Sequence, residues 1–257
     1  MHVLVAIDWH VIWLRVFHPH HVFARALWAT IYISVISQAA GVVFGLLAAL
    51  MRTSSFLPFR WLSAVYVWIF RGTPVLVQLF FIYTAFNLPI LHFGFWTVPS
   101  EALTAIVALS INEGAYMREI IRAGIDSIDR GQMEAAKSLG MRYGQAMRRI
   151  VLPQAARVIV PPLGNEFNNM MKTTSLAYTI GVYELFADAE QGYSQTFKSE
   201  YFIAVAFWYL VLTTVWAFIQ AAIERRLAAS ERGEDVSFRE RLVAAWNPAG
   251  AMGLWRR

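Results

Sequence analysis

Residues 131–154 read GQMEAAKSLGMRYGQAMRRIVLPQ and lie between long apolar segments. The stretch is polar and basic, and Gly140 divides it into two parts. Because glycine adopts positive φ without steric cost, it is the residue that most often follows the end of a helix. We therefore expect two short helices joined by a tight turn, which together form a compact knob.

The boundaries of this knob follow from its capping residues. Asp129 followed three residues later by Gln132 is typical of a capping box and predicts a first helix over about residues 130–139. A second helix is expected over about residues 143–151. Pro153 should stop it, because proline lacks a backbone N–H and clashes with the preceding turn.

Composition indicates a membrane protein. Hydrophobic residues make up 58% of the 257 residues and charged residues 15%, whereas soluble domains average roughly 45–50% and about 25%. The apolar excess forms long runs, which predicts membrane spans. Without cysteine, neither a disulfide nor a thiolate metal site can form. We interpret the net charge of +5 as basic cytoplasmic loops, and we expect no nucleic-acid partner.

The apolar runs predict an all-α integral membrane protein with five transmembrane helices. The expected spans are about residues 22–51, 59–87, 100–122, 158–186 and 201–223. We divide the chain into an external or interfacial segment (1–21), a transmembrane domain (22–226) that contains the knob region (129–154), and a cytoplasmic tail (227–257). The first span carries Gly41 and Gly45, which are spaced as a small-residue packing face.

Lysine and arginine set the expected orientation. The loop after the third span and the tail are rich in arginine, whereas residues 87–99 contain neither residue type. Cytoplasmic loops carry the excess of positive charge. We therefore expect the N-terminus outside and the C-terminus inside the cell.

The knob resembles the EAA loop of importer-type ABC permeases, specifically of the polar amino acid branch (histidine, glutamine, glutamate and arginine type). The resemblance implies that the knob docks in a groove of a separate ATP-hydrolysing subunit. By position, the contact core would consist of Glu134, Ala135, Ala136 and Gly140.

Three further segments carry the same resemblance. They are FRGTPVLVQLFFIY (residues 70–83), AYMREIIRAGIDSI (115–128) and PPLGNEFNNMMKTTSLAYTIGVYEL (161–185). Thr173 stands where the family often has aspartate, and Arg118 stands where it often has alanine. Both departures bear on substrate preference, and neither touches the knob.

Two basic residues fall near mid-depth of the expected spans. Arg71 lies in the second span and Lys172 in the fourth, and ionisable residues at that depth by default mark a pathway or an ion pair. Arg71 also precedes Gly72-Thr73-Pro74, where we expect the helix to break or kink.

Helical spacing predicts polar stripes beside these residues. On the fourth span the stripe consists of Asn165, Asn168, Lys172 and Ser175; Glu113 lies on the third span, beside a stripe of Asn112, Tyr116 and Glu119. A cavity between the stripes would hold a zwitterion, with Arg71 or Lys172 facing its carboxylate and Glu113 or the asparagines facing its ammonium group.

Structural alternatives exist for these charged residues. Arg71 would pair with Glu113 or Glu166 and only hold helices together. Glu119 is expected to be a structural partner of Arg118 or Arg122.

No catalytic constellation is visible. There is no G-x-x-x-x-G-K-[ST] motif, so the chain cannot bind ATP in the P-loop manner. The histidines near Pro19 lack the carboxylate or thiol that would complete a metal site. We expect no enzyme activity, no cofactor and no metal on this chain.

The resemblance implies the permease subunit of an ATP-driven importer for polar amino acids or their derivatives, located in the cytoplasmic (inner) membrane of a bacterium. The expected partners are an ATP-binding subunit, a second permease subunit (identical or paralogous) and a periplasmic or extracellular substrate-binding protein. The alternative is an ion-coupled secondary carrier that uses Arg71, Glu113 and Lys172, although the inverted repeats that favour such carriers are not visible. The transported amino acid stays open.

Overall fold

The computed structural model of the protein describes residues 7–94 and 96–232. Residues 1–6 and most of the predicted tail lie outside this part. The described chain is almost entirely helical, apart from a hairpin of β1 (Leu91–Phe93) and β2 (Trp96–Val98) in which Leu91 pairs with Val98. The helices are α1 (Trp9–Phe17), α2 (His21–Thr53), α3 (Leu57–Gly72), α4 (Val75–Ala85), α5 (Ser100–Asp126), α6 (Arg130–Ser138), α7 (Tyr143–Ala146), α8 (Leu152–Thr173), α9 (Leu185–Thr196) and α10 (Glu200–Arg232).

Among the described residues, two helices are long and apolar enough to cross a membrane, within α2 (Val22–Thr53) and α10 (Glu200–Leu227). The pair α3 and α4 would be a third span, bent by 108°. The predicted break at Gly72-Thr73-Pro74 is therefore confirmed. The five predicted spans also include α5 and α8, which do not meet these criteria because they carry more polar residues.

Helix α5 lies at the centre of the protein, which explains why it is polar. Asn112, Glu113 and Arg118 are buried there by the surrounding helices. Because protein rather than lipid surrounds these side chains, the helix does not need a uniformly apolar surface.

Close packing of α2 against α5 depends on glycine. A Cβ atom at Gly41 would lie 2.6 Å from the Glu113 Cγ, and one at Gly45 would lie 2.8 Å from the Arg118 backbone nitrogen. Only hydrogen fits at these two positions. The predicted packing face of Gly41 and Gly45 is confirmed.

The segment after the knob differs from the prediction. The second knob helix does not stop near Pro153: residues Met147–Val151 form a π-helical turn, and α8 continues to Thr173. The Leu152 N–H donates to the Met147 carbonyl, five residues back. This wide turn changes the hydrogen-bond register just before Pro153, whose missing N–H then falls at the start of α8.

The predicted fourth span (158–186) is also divided. After α8 the chain tightens into a 3-10 helix, Thr174–Ile180, which ends at Gly181 with φ +92°. Helix α9 begins at Leu185, beyond a short connection.

Candidate functional site

The knob begins at Asp129, whose carboxylate accepts the Gly131 N–H at 2.5 Å. This satisfies one of the N–H groups that have no partner within the helix. The Gln132 side chain does not complete the predicted capping box. Its Oε1 accepts a long hydrogen bond of 3.5 Å from Gln154 instead, so that Gln132 links the two ends of the knob.

The turn at Gly140 is a complete Schellman motif. Gly140 has φ +79°; its N–H donates to the Lys137 carbonyl at 2.9 Å, and the Met141 N–H donates to the Ala136 carbonyl at 3.1 Å. These two bonds satisfy carbonyls at the end of α6. The predicted left-handed turn is confirmed, and it sets the direction in which the second half leaves the first.

A small apolar interior holds the two halves together. Ala136 is 1% exposed, and Ala146 and Val151 are buried with it. Ala136, which was expected in the contact core, therefore packs its side chain inside the knob.

The outer surface of the knob combines charged and apolar side chains. Glu134, Ala135 and Gly140 are exposed. Leu139 is 83% exposed and Tyr143 61% exposed. Leu139 and Tyr143 were not singled out from the sequence as surface residues of the knob. Apolar side chains on either side of a turn in a polar stretch could have indicated them.

A polar cavity of about 250 Å³ lies between α4, α5 and α8. This is below the roughly 300–1,000 Å³ of pockets for drug-sized ligands and suits a smaller solute. The lining residues are Val75, Leu109, Asn112, Glu113, Tyr116, Glu166, Asn169, Met170 and Thr173.

Two predicted pathway residues belong to the cavity or its edge. Glu113 lines it, and its Oε1 is buried without a hydrogen-bond partner in the described chain. The Arg71 guanidinium carbon lies 5.3 Å from the centre of the Tyr116 ring, which is part of the lining. In the described part of the chain, Arg71 does not form the alternative ion pair with Glu113 or Glu166.

The predicted stripe on α8 does not line this cavity. Asn165 accepts a hydrogen bond of 3.4 Å from Gln220 of α10, and Ser175 donates to the Lys172 carbonyl at 2.7 Å. Lys172 itself is exposed, and Asn168 Oδ1 is buried without a partner in the described chain. The lining positions are the neighbouring residues Glu166, Asn169 and Thr173, because helix rotation is set by packing, which spacing alone does not reveal.

The predicted structural role of Glu119 is confirmed. It forms ion pairs with Arg118 and with Arg122, the latter at 3.3 Å. Arg118 stands at a position where the sequence departs from the family pattern. Its guanidinium is paired with the Glu119 carboxylate.

Helix α1 docks on the start of α10. The Asp8 N–H donates to Glu200 Oε1 at 2.8 Å, and the Arg15 guanidinium lies 4.7 Å from the centre of the Tyr201 ring. Lys198 Nζ donates to Asp8 Oδ2 at 2.8 Å. This hydrogen bond lowers the pKa of Asp8 and raises the pKa of Lys198.

Of the histidines, His20 has a visible structural role. Its Nδ1 accepts the Phe23 N–H at 3.2 Å and so caps α2, while its Nε2 lies 3.1 Å from Asp188 Oδ1. No cluster of three potential metal ligands occurs in residues 7–94 and 96–232.

Comparison with known proteins identifies the family. Residues 41–229 match the model described as binding-protein-dependent transport system inner membrane component. The chain belongs to this family. It is a permease subunit of an ABC importer, whose ATPase activity lies on a separate subunit; this decides against the secondary carrier.

The names of similar proteins agree with this assignment. The arginine transport system permease protein of Corynebacterium glutamicum is 38% identical over 86% of this chain and 72% of its own length. The L-cystine transport system permease protein of Bacillus subtilis is 39% identical over 86% of this chain and 92% of its own length. The glutamine transport system permease protein of Escherichia coli is 37% identical over 86% of this chain and 97% of its own length.

Solved structures share the fold. An amino acid ABC transporter crystallised with histidines is 37% identical, with a TM-score of 0.71, over 80% of this permease and 94% of that chain. The MetNI methionine ABC transporter in an inward-facing conformation is 20% identical, with a TM-score of 0.66, over 82% and 98%. The latter likeness concerns the fold alone.

Proposed function

We propose that this permease carries polar amino acids or close derivatives across the inner membrane of a bacterium, and that the knob transmits the work of the ATPase subunit. The observation that carries the coupling role is the construction of the knob. Its capped helices and Schellman turn form a fixed frame, and its exposed surface presents Glu134, Ala135, Gly140, Leu139 and Tyr143. A fixed frame transmits a displacement that a flexible loop would absorb.

The residues in and beside the cavity favour a small zwitterionic substrate. Arg71 stacks on one lining residue, Tyr116, and Glu113 and Glu166 supply negative charge. An α-amino acid carries a carboxylate and an ammonium group, which these opposite charges would receive. The names of the relatives, which include arginine, glutamine and cystine permeases, favour the same class.

We further propose five spans, with the N-terminus outside and the knob and the C-terminal tail in the cytoplasm. In this arrangement α5 and α8 belong to the third and fourth spans, and α5 is buried by the other helices. The arginine-rich regions then face the cytoplasm, as the distribution of positive charge favours.

The assembly would contain two permease subunits, identical or paralogous, two ATPase subunits and an external substrate-binding protein. Large apolar side chains such as Trp61, Trp68 and Phe81 are exposed on α3 and α4, and such surfaces suit lipid or a second subunit. ATP binding would move the knobs and switch the cavity between its two accessible states.

Pull-down of the tagged permease from detergent-solubilised membranes tests the coupling role. We expect a P-loop ATPase with the unmodified chain and its loss with Glu134→Lys. Glu190→Lys on α9 makes the same charge change away from the knob and should retain the ATPase. Equal recovery with both variants would contradict the assignment of the knob.

Uptake by cells that express the complete transporter tests the pathway. Arg71→Ala and Lys172→Ala are compared after confirming that each variant still assembles with the ATPase. We expect weaker apparent affinity with Arg71→Ala, because Arg71 contacts the cavity lining. Normal affinity in both variants would contradict the proposed carboxylate site.

A further inference from the structure

The break between α3 and α4 leaves backbone carbonyls without helical partners. Helix α3 ends at Gly72, and Pro74, which precedes α4, has no N–H. The last four carbonyls of any helix lack partners within it, and such groups in a protein interior must find donors elsewhere. Thr73 Oγ1 donates to one of them, the Ile69 carbonyl, at 2.8 Å.

Gln78 supplies donors to two further carbonyls at the break. Its Nε2 lies 3.0 Å from the Phe70 carbonyl and 3.1 Å from the Thr73 carbonyl. The same nitrogen lies 2.8 Å from Thr73 Oγ1. The Gln78 side chain is buried, so its amide is held in one place.

Asn112 of α5 joins this arrangement. Its Nδ2 donates to the Phe70 carbonyl at 3.0 Å and to Gln78 Oε1 at 2.9 Å. We name these two residues the amide clamp. The clamp ties the break in α3–α4 to the central helix α5.

The chemistry of the clamp determines which way both amides face. A backbone carbonyl accepts hydrogen bonds and cannot donate, so the atom that faces Phe70 O must be the nitrogen of each side chain. This removes the usual ambiguity between amide oxygen and nitrogen. Asn112 thus uses its nitrogen in the clamp, and its Oδ1 is left as an acceptor.

Asn112 also lines the cavity, next to Glu113. No described residue donates a hydrogen bond to its Oδ1, and this oxygen is not fully enclosed by protein atoms. We infer that Asn112 Oδ1 accepts a hydrogen bond from the ammonium group of the substrate, and that Gln78 is the positioning residue that holds this oxygen toward it. The inference rests on the proposed function and adds the residue that recognises the ammonium group.

This arrangement divides the recognition of an amino acid. Asn112 and Glu113 provide acceptors for the ammonium group, whereas Arg71, stacked on Tyr116, provides positive charge for the carboxylate. Gln78 lies behind Asn112 and acts on the substrate only through it.

The test is equilibrium binding to the purified permease–ATPase complex. The probe is whichever of arginine, glutamine and cystine the unmodified transporter takes up best, compared with the analogue that lacks the α-amino group. The variants are Asn112→Ala, Gln78→Ala and the double variant. Thr84→Ala, which removes an ordinary side chain bond to the Phe80 carbonyl on α4, is the control.

We expect Asn112→Ala to weaken amino-acid binding about tenfold or more, as for a lost hydrogen bond to a charged group. Binding of the deamino analogue should change by less than about twofold. Gln78→Ala should weaken amino-acid binding as well, and the double variant should bind no more weakly than Asn112→Ala, because Gln78 acts through Asn112. Thr84→Ala should bind normally.

Equal losses for the amino acid and its analogue, or additive losses in the double variant, would overturn the inference. If Asn112→Ala does not assemble, Asn112→Ser replaces it, since one hydroxyl cannot donate to both Phe70 and Gln78. Uptake by the unmodified transporter is measured first. Failure to take up any of the three amino acids would overturn the proposed function, whereas uptake with an additive double variant would overturn this inference alone.

Discussion

The knob and the cavity are built from opposite kinds of contact. Apart from the long Gln154–Gln132 bond, the hydrogen bonds that shape the knob join near neighbours, such as the Gly140 N–H and the Lys137 carbonyl. The cavity depends on distant pairs: Asn112 donates to the Phe70 carbonyl across 42 residues of sequence. The knob therefore has a geometry of its own, whereas the cavity exists only while α4, α5 and α8 are packed together.

The largest effect should come from Gly140→Pro. Proline requires φ near −65°, whereas Gly140 has φ +79° and donates its N–H to Lys137, so the cost is about 3 kcal/mol or more. We expect the ATPase subunit to be lost on purification, while amino-acid binding in the cavity is retained.

Gly144→Ala is the matched control, because nothing lies within 4 Å of an added Cβ and alanine favours the helix by up to about 1 kcal/mol. If Gly140→Pro lost binding and ATPase association together, the two regions would not be independent.

The converse experiment is Gly41→Leu, which perturbs the packing around the cavity. A Cβ would already lie 2.6 Å from the Glu113 Cγ, and overpacking of this kind costs about 1–3 kcal/mol. We expect thermal unfolding in detergent at a Tm lower by at least about 2 °C, with weaker amino-acid binding.

Gly72→Ala provides the comparison, since its Cβ meets nothing within 4 Å. An unchanged Tm for Gly41→Leu would show that α2 and α5 are not held this closely.

Leu139→Ser separates the surface of the knob from its frame. Leu139 is 83% exposed, so the substitution should alter stability by no more than about 0.5 kcal/mol. We expect ATPase affinity to fall about tenfold, as for an apolar contact residue in an interface, measured by titration of the purified subunits. Ile90→Ser, at another exposed apolar position, should have no effect; equal losses with both variants would mean that Leu139 is not a contact.

The smallest effect is expected at Asp8, outside both regions. Its pKa is lowered by the hydrogen bond from Lys198, so the stabilisation is present at neutral pH and is lost as pH falls through this lowered pKa, below about pH 4. Asp8→Asn should loosen α1 slightly, and added salt should reduce the difference from wild type because exposed pairs are screened. Limited proteolysis of α1 measures this; lost ATPase association would instead show that α1 influences the knob.

Features that depend on one helix or one turn could be predicted from the sequence. The break at Gly72-Thr73-Pro74, the left-handed turn at Gly140 and the packing face of Gly41 and Gly45 all follow from the backbone properties of glycine and proline. Each is a local restriction, so no knowledge of the rest of the fold is required.

Features that depend on packing could not be predicted in the same way. The lining of the cavity by Asn169 and Thr173 rather than Asn168 and Lys172 depends on the rotation of α8 against its neighbours. The burial of Ala136 and the exposure of Leu139 depend on how the two knob helices meet.

The sequence by itself determined a helical membrane protein with a capped, two-helix knob, because apolar runs, helix caps and the conformational limits of glycine and proline act over a few residues. Only the tertiary structure decided which polar side chains share the cavity and which way the Asn112 amide faces. Those outcomes depend on carbonyls and side chains that are far apart in sequence, and they are set by the requirement that buried polar groups find partners.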